Sequence, residues 1–173
     1  MRALRRSSLL GIPASLLLAI IFGASVATSR RVTFVALVTC ADILTMACAM
    51  HYLARRRRGE VVKRYGVGLL CTALVGLAWA SPAMFALPGT QNVDLRAVYL
   101  LFVCGTSATY VVGTAARRLY FFASQLPMLI PVAIVFTMSG DRVTRLLGLA
   151  VPIYLIVMTS LHQEVHGLSL IHI

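Results

Sequence analysis

The 173-residue chain is 60% apolar and 12% charged, with a mean hydropathy of +0.89. A globular domain is about half apolar and a quarter charged, so a water-soluble chain of this composition would expose more hydrocarbon than water tolerates, and a soluble enzyme is excluded. Sixteen Lys and Arg against five Asp and Glu give a formal charge of +11. These charges stand in short clusters between long apolar runs and form no stripe on a polar surface, which argues against nucleic acid and for a polytopic membrane protein with basic loops.

A bilayer core of roughly 30 Å needs about 20 helical residues to cross it. Six runs approach that size, at 9–28, 32–53, 65–87, 97–116, 119–138 and 146–161. The expected fold is therefore an all-α integral membrane bundle of six transmembrane helices. In the first run Gly11, Ser15, Ala19, Gly23 and Ala27 recur every four residues, a stripe of small side chains that lets another helix approach closely. The same segment, with Arg2, Arg5 and Arg6 before it and Ser25-Val26-Ala27 after it, also has the layout of a secretory signal peptide, whose removal would leave five spans.

The second run carries Asp42 near its middle, with Thr39 and Thr45 three residues to either side on the same face, and closes on His51 and Tyr52 as interfacial anchors. Trp79 lies well inside the third run and is expected to pack. Gly105, Thr109 and Gly113, flanked by Ala108 and Ala116, make a second small-residue stripe in the fourth. Pro127 and Pro131, one turn apart, are expected to break or bend the fifth. The sixth begins beside Arg145 and is interrupted by Pro152.

Arg and Lys are retained on the cytoplasmic side of a membrane. Placing the N-terminus inside puts Arg2, Arg5, Arg6, then Arg55, Arg56, Arg57, Arg58, Lys63 and Arg64, then Arg117 and Arg118 on one side, eleven in all. The five that remain, Arg30, Arg31, Arg96, Arg142 and Arg145, fall on the other. Both ends are thus expected in the cytoplasm. The run Arg55 to Arg58 with Lys63 and Arg64 is a topology signal that also suits anionic lipid head groups, at about 1 kcal/mol per basic residue near the surface.

Charges deep in a span are costly and usually functional, which makes Asp42 a candidate proton or ion site. Its structural alternative is a protonated carboxyl, or one hydrogen-bonded to a Thr of a neighbouring helix, that only holds the bundle together. Cys40, Cys48, Cys71 and Cys104 all fall in spans without Cys-x-x-Cys spacing and read as small core residues. His162 and His166, a helical turn apart with Glu164 between them, are weak candidates for a metal. The alternative is a polar helix leaving the membrane on the cytoplasmic side. No phosphate-binding loop, dinucleotide turn, nucleophile elbow or catalytic carboxylate pair is present, so the sequence assigns no catalytic residue.

The last six residues, Leu168-Ser169-Leu170-Ile171-His172-Ile173, match the in-frame translation of a common transposase sequencing adapter. Residues 1–167 are accordingly expected to be the natural polytopic membrane domain, 168–173 an artefact, and a cytoplasmic remainder to be missing.

From about Arg55 to Gly167 the chain resembles the polytopic N-terminal sensory regions of bacterial diguanylate cyclases, enzymes with a Gly-Gly-Asp/Glu-Glu-Phe domain. The resemblance rests on the basic loop Arg-Arg-Arg-Arg-Gly-Glu-Val-Val-Lys-Arg, on Gly76-Leu77-Ala78-Trp79, and on a Leu-Pro-x-x-x-Pro element from Leu126 to Pro131. A Gly140-Asp141-Arg142 loop and a helix ending in Leu161-His162 complete it; the chain departs at Ala80, where Gly is common. It implies a membrane domain that anchors and regulates a cytoplasmic domain condensing two GTP into cyclic di-GMP, acting as a homodimer through its sixth helix. It implies a multi-pass location in the bacterial inner membrane, and GTP and Mg only in the missing output domain. Similar membrane modules precede histidine kinases, and a small stand-alone transporter or channel component using Asp42 is the competing class. Fifteen Arg to one Lys fits a GC-rich bacterial genome.

Overall fold

The computed structural model describes residues 2–59, 66–114 and 118–171, with side chains described for 11–55, 57–59, 66–111, 113–114 and 118–167. The described chain forms six helices: α1 (Arg2–Phe22), α2 (Thr28–Arg57), α3 (Gly66–Phe85), α4 (Val93–Gly113), α5 (Arg118–Thr137) and α6 (Arg142–Ile171), with a 3-10 turn at Gly23–Ser25. Each apolar run of the sequence lies on one of them. Among the described residues, four stretches are long and apolar enough to cross a membrane, Thr28–Arg55, Gly66–Phe85, Arg118–Thr137 and Arg142–Gly167, and Gly11–Ser25 is a shorter apolar stretch. The fourth helix carries Asp94 and Arg96 in its first turn and Thr106, Ser107, Thr109 and Tyr110 in its second half. Ile20, Leu101, Leu119, Met138 and Ile156 are 67–81% exposed, so the outside of the bundle is hydrocarbon, the surface a lipid environment accepts and water does not.

Around the bundle, α1 packs on α2, α2 on α3, α3 on α5, α5 on α6, α6 on α4 and α4 on α1, while α4 also touches α5. The helices thus form a pentagon of α1, α2, α3, α5 and α4 that shares its α4–α5 edge with a triangle completed by α6. Two glycines permit the close crossings. A Cβ on Gly76 would overlap the Ser124 carbonyl oxygen of α5, and one on Gly148 would stand 2.5 Å from the Thr137 amide nitrogen. Backbones can approach so closely only where a side chain is missing.

An aromatic cluster ties the pentagon together. The Phe22 and Tyr99 rings lie 6.3 Å apart, Tyr99 and Phe136 6.1 Å, and Phe34 meets Trp79 edge-on at 5.9 Å. The buried Tyr99 hydroxyl donates to the Trp79 carbonyl at 2.9 Å, which removes the cost of burying it.

The prolines do not interrupt their helices. Pro127 and Pro131 sit inside an unbroken α5, and Pro152 inside an unbroken α6; of the break or bend expected in α5 the break does not occur, nor does the interruption expected in α6. Packing against neighbours keeps such helices continuous where proline withdraws an amide. At Pro82 the remedy is visible: the missing N–H leaves the Ala78 carbonyl without its helical donor, and the Ser81 hydroxyl donates to it at 2.7 Å.

The small residues of the two stripes meet different surroundings within the chain. Gly23 leaves α1 with φ +46° and meets nothing within 4 Å, so it serves the turn into α2 and packs no helix. Gly105 likewise has open space at its Cβ position. Ser15 is fully buried and donates back to Ile12 at 2.8 Å, while Ala19 and Gly113 are half-buried. The Ala19 carbonyl accepts from Arg31 at 3.3 Å.

Candidate functional site

Inside the pentagon lies a cavity of about 370 Å³ bounded by Gly11 and Ala14 of α1, Asp42 of α2, Trp79 of α3, and Leu101, Phe102, Gly105, Thr106, Thr109 and Tyr110 of α4. The lining residues of α4 are a turn apart, and three of them, Leu101, Gly105 and Thr109, are exposed on its outer face. The cavity is therefore a cleft that opens sideways along α4. Its depth is set by α2 and α3: Asp42 is 3% exposed and Trp79 1%.

Asp42 fits here because α1 places a glycine opposite it. A Cβ on Gly11 would overlap the Asp42 Oδ2 oxygen, so the first glycine of the α1 stripe clears room for a carboxyl, in addition to any helix it accommodates. That oxygen is buried and has no hydrogen-bond partner. The threonines on its own helix do not satisfy it. Thr45 donates to the carbonyls of Ala41 at 2.9 Å and, across to α3, of Cys71 at 3.4 Å, and Thr39 is half-buried. Asp42 and the α4 phenol of Tyr110 instead face the same space.

Elsewhere the buried polar groups are mostly paired. Across the α4–α5 edge Ser107 donates to the Gln125 side-chain oxygen, while the Gln125 amide donates to the Ser107 carbonyl at 3.2 Å. Tyr154 of α6 donates to the Cys104 carbonyl at 2.6 Å. His162 lies 3.2 Å through Nε2 from the Thr114 carbonyl, its ring 4.3 Å from that of Phe121. A carbonyl has no proton to give, so Nε2 carries the hydrogen. The ring of His166 stacks at 6.1 Å on His162. Among the described residues no group of three or more His, Cys, Asp or Glu is placed to hold a metal. All four cysteines are free.

At the end of the bundle that carries the α3–α4 and α5–α6 connections, Arg96 forms a clamp. Its guanidinium, on a residue 6% exposed, donates to the Pro88 carbonyl at 2.8 Å, the Ser139 hydroxyl at 2.6 Å and the Asp141 carboxylate at 3.1 Å. Asp141 caps α6, accepting the Thr144 amide at 2.6 Å. That amide, with the Ser139 hydroxyl and the Arg96 charge, holds the Asp141 pKa at about 2.

Of the basic topology residues, Arg55, Arg57 and Arg58 are exposed at the end of α2; Lys63 and Arg64, and the side chain of Arg56, lie outside the described residues. The cleft residues Phe102, Thr106 and Tyr110 were not legible in sequence, because on a helix with Gly105, Thr109 and Gly113 they read as ordinary packing. The usable signal was the run of hydroxyl side chains, Thr106, Ser107, Thr109 and Tyr110, in the second half of α4. Compared with protein-family models, curated proteins and solved structures, the chain matches none of them.

Proposed function

We propose that the chain is the multi-pass membrane domain of a bacterial signalling protein, all six helices crossing the inner membrane with both ends cytoplasmic. In this reading it anchors and regulates a cytoplasmic diguanylate cyclase domain as a homodimer, the resemblance of 55–167 supplying the identity of the output. GTP and Mg belong to that output domain.

The observation that supports the reading is α6. From Arg142 to Gly167 its 26 residues form one unbroken helix, about 39 Å long at 1.5 Å per residue against a hydrocarbon core of roughly 30 Å. It is held to α4 through Tyr154 and to the α4–α5 connection through His162, and crosses α5 closely at Gly148. A shift of α4, the helix that lines most of the cleft, therefore bears directly on α6 and is carried to its far end.

The deciding experiment is to sequence the source DNA across the codons for Leu168 to Ile173 without transposase adapters. A frame continuing into a Gly-Gly-Asp/Glu-Glu-Phe domain is the expected result, and a histidine-kinase core there would select that output instead. A stop codon after Ile173 would overturn both. The unpartnered Asp42 would then favour a small transporter, for which Asp42→Asn should abolish solute or ion flux in vesicles. Reporter fusions after Arg58 and after Gly89 test the orientation; activity of a cytoplasmic reporter is expected only at the first.

A further inference from the structure

We infer that the sideways cleft between α1 and α4 is a binding site for a small organic cation that reaches it from the bilayer. The inference concerns the cleft alone and holds whichever output the chain controls. Observations on four helices converge there. Asp42 supplies a carboxylate 3% exposed whose Oδ2 has no protein partner, and a buried acceptor left in that state is costly unless something brings it a donor or a charge. Gly11 keeps the space in front of that oxygen clear.

Trp79, Phe102 and Tyr110 present aromatic surface around the same space. Aromatic faces attract cations, most strongly where water is excluded. The volume of about 370 Å³ suits a small molecule and greatly exceeds what a proton or a bare metal ion requires. Among the described residues Asp42 belongs to no group of three or more His, Cys, Asp or Glu that could hold a metal. Finally, the mouth is built from Leu101, Gly105 and Thr109 on the lipid-like flank of α4, so the guest must be apolar enough to arrive through hydrocarbon.

Trp79 is the only tryptophan in the sequence, so the cleft contains its own fluorescent reporter. The full chain in nanodiscs of uncharged lipid is titrated with benzyltrimethylammonium and, separately, with neopentylbenzene, its uncharged carbon isostere. The expected result is a saturable change in Trp79 emission with the cation only, with affinity lowered roughly tenfold or more by Asp42→Asn. Gly105→Leu, which fills the mouth from a position with open space and leaves the carboxylate in place, is expected to abolish the response at unchanged helical content. The proposal is overturned by no saturable response to the cation, by equal affinity for the isostere, or by an unaltered affinity in Asp42→Asn. Should that variant not assemble, retention of binding in Gly105→Leu overturns it.

Discussion

Among the described residues, the two parts of this bundle differ in the buried group each leaves unpaired: a carboxyl oxygen of Asp42 in the pentagon, and only the Thr144 hydroxyl in the triangle. In the triangle of α4, α5 and α6, Ser107 and Gln125 bond reciprocally, Tyr154 reaches the Cys104 carbonyl and His162 the Thr114 carbonyl. In the pentagon, the carboxylate of Asp42 faces a cleft with Oδ2 unsatisfied. Partnered groups in a low-dielectric interior fix one arrangement of the helices, and an unpartnered one destabilises the empty state. The triangle is thus built to hold its geometry, and the pentagon to receive something.

The largest effect is expected at the crossing that joins α3 to α5. Gly76→Leu drives a side chain into the Ser124 backbone, which cannot step aside as a flexible side chain would, and is expected to cost about 3 kcal/mol or prevent assembly. Thermal unfolding in detergent measures it.

Next, Ser107→Ala leaves the Gln125 oxygen buried without its donor, and is expected to cost about 1–2 kcal/mol in the same assay. Asp42→Asn is the matching change in the pentagon and is expected to leave stability unchanged or slightly raised, since it breaks no hydrogen bond of Oδ2. Equal losses in both variants would erase the contrast between the two regions.

A pH-dependent effect is expected from the clamp at the end of the bundle. The Asp141 pKa is depressed in the folded protein, so its contribution is fully present above the ordinary carboxylate value near 4 and is lost as pH falls towards about 2. The melting temperature of Asp141→Asn should lie a few degrees below that of the parent at neutral pH and converge with it near pH 2. A constant gap across that window would show that capping and charge pairing at Asp141 are not what matters.

The smallest effect is expected at Gly105→Ala, where the added methyl meets open space, with a change under about 0.5 kcal/mol in unfolding. Gly23→Ala, a change of the same size at another stripe glycine, should cost about 1 kcal/mol because φ is +46°.

Much of the fold was legible because hydrophobic run length is a one-dimensional property. Most of the described length of each run, from 9–28 to 146–161, is helical, and the Gly140-Asp141-Arg142 loop stands where α5 ends and α6 is capped. The prolines misled because a sequence shows the amide they withdraw and not the neighbour or hydroxyl that compensates, as Ser81 does for Ala78. The stripes were legible only in part: four-residue spacing shows that small residues share a face, but not what that face meets. Gly11 meets a carboxyl, Gly105 a cavity and Gly23 nothing, while the close crossings use Gly76 and Gly148, which stood in no stripe.

The sequence by itself determined that this chain is a set of apolar helices broken by basic connections, and that one of them carries an acid near its middle. Length and hydropathy suffice for both, since each helix satisfies its own backbone and needs no partner to be recognised. Only the tertiary structure decided which helices are neighbours, and hence that Asp42, Trp79 and Tyr110 line one cleft while Arg96, counted by sequence as a loop charge, is buried on Asp141. Those facts depend on side-chain contacts between segments distant in the chain, which no local periodicity encodes.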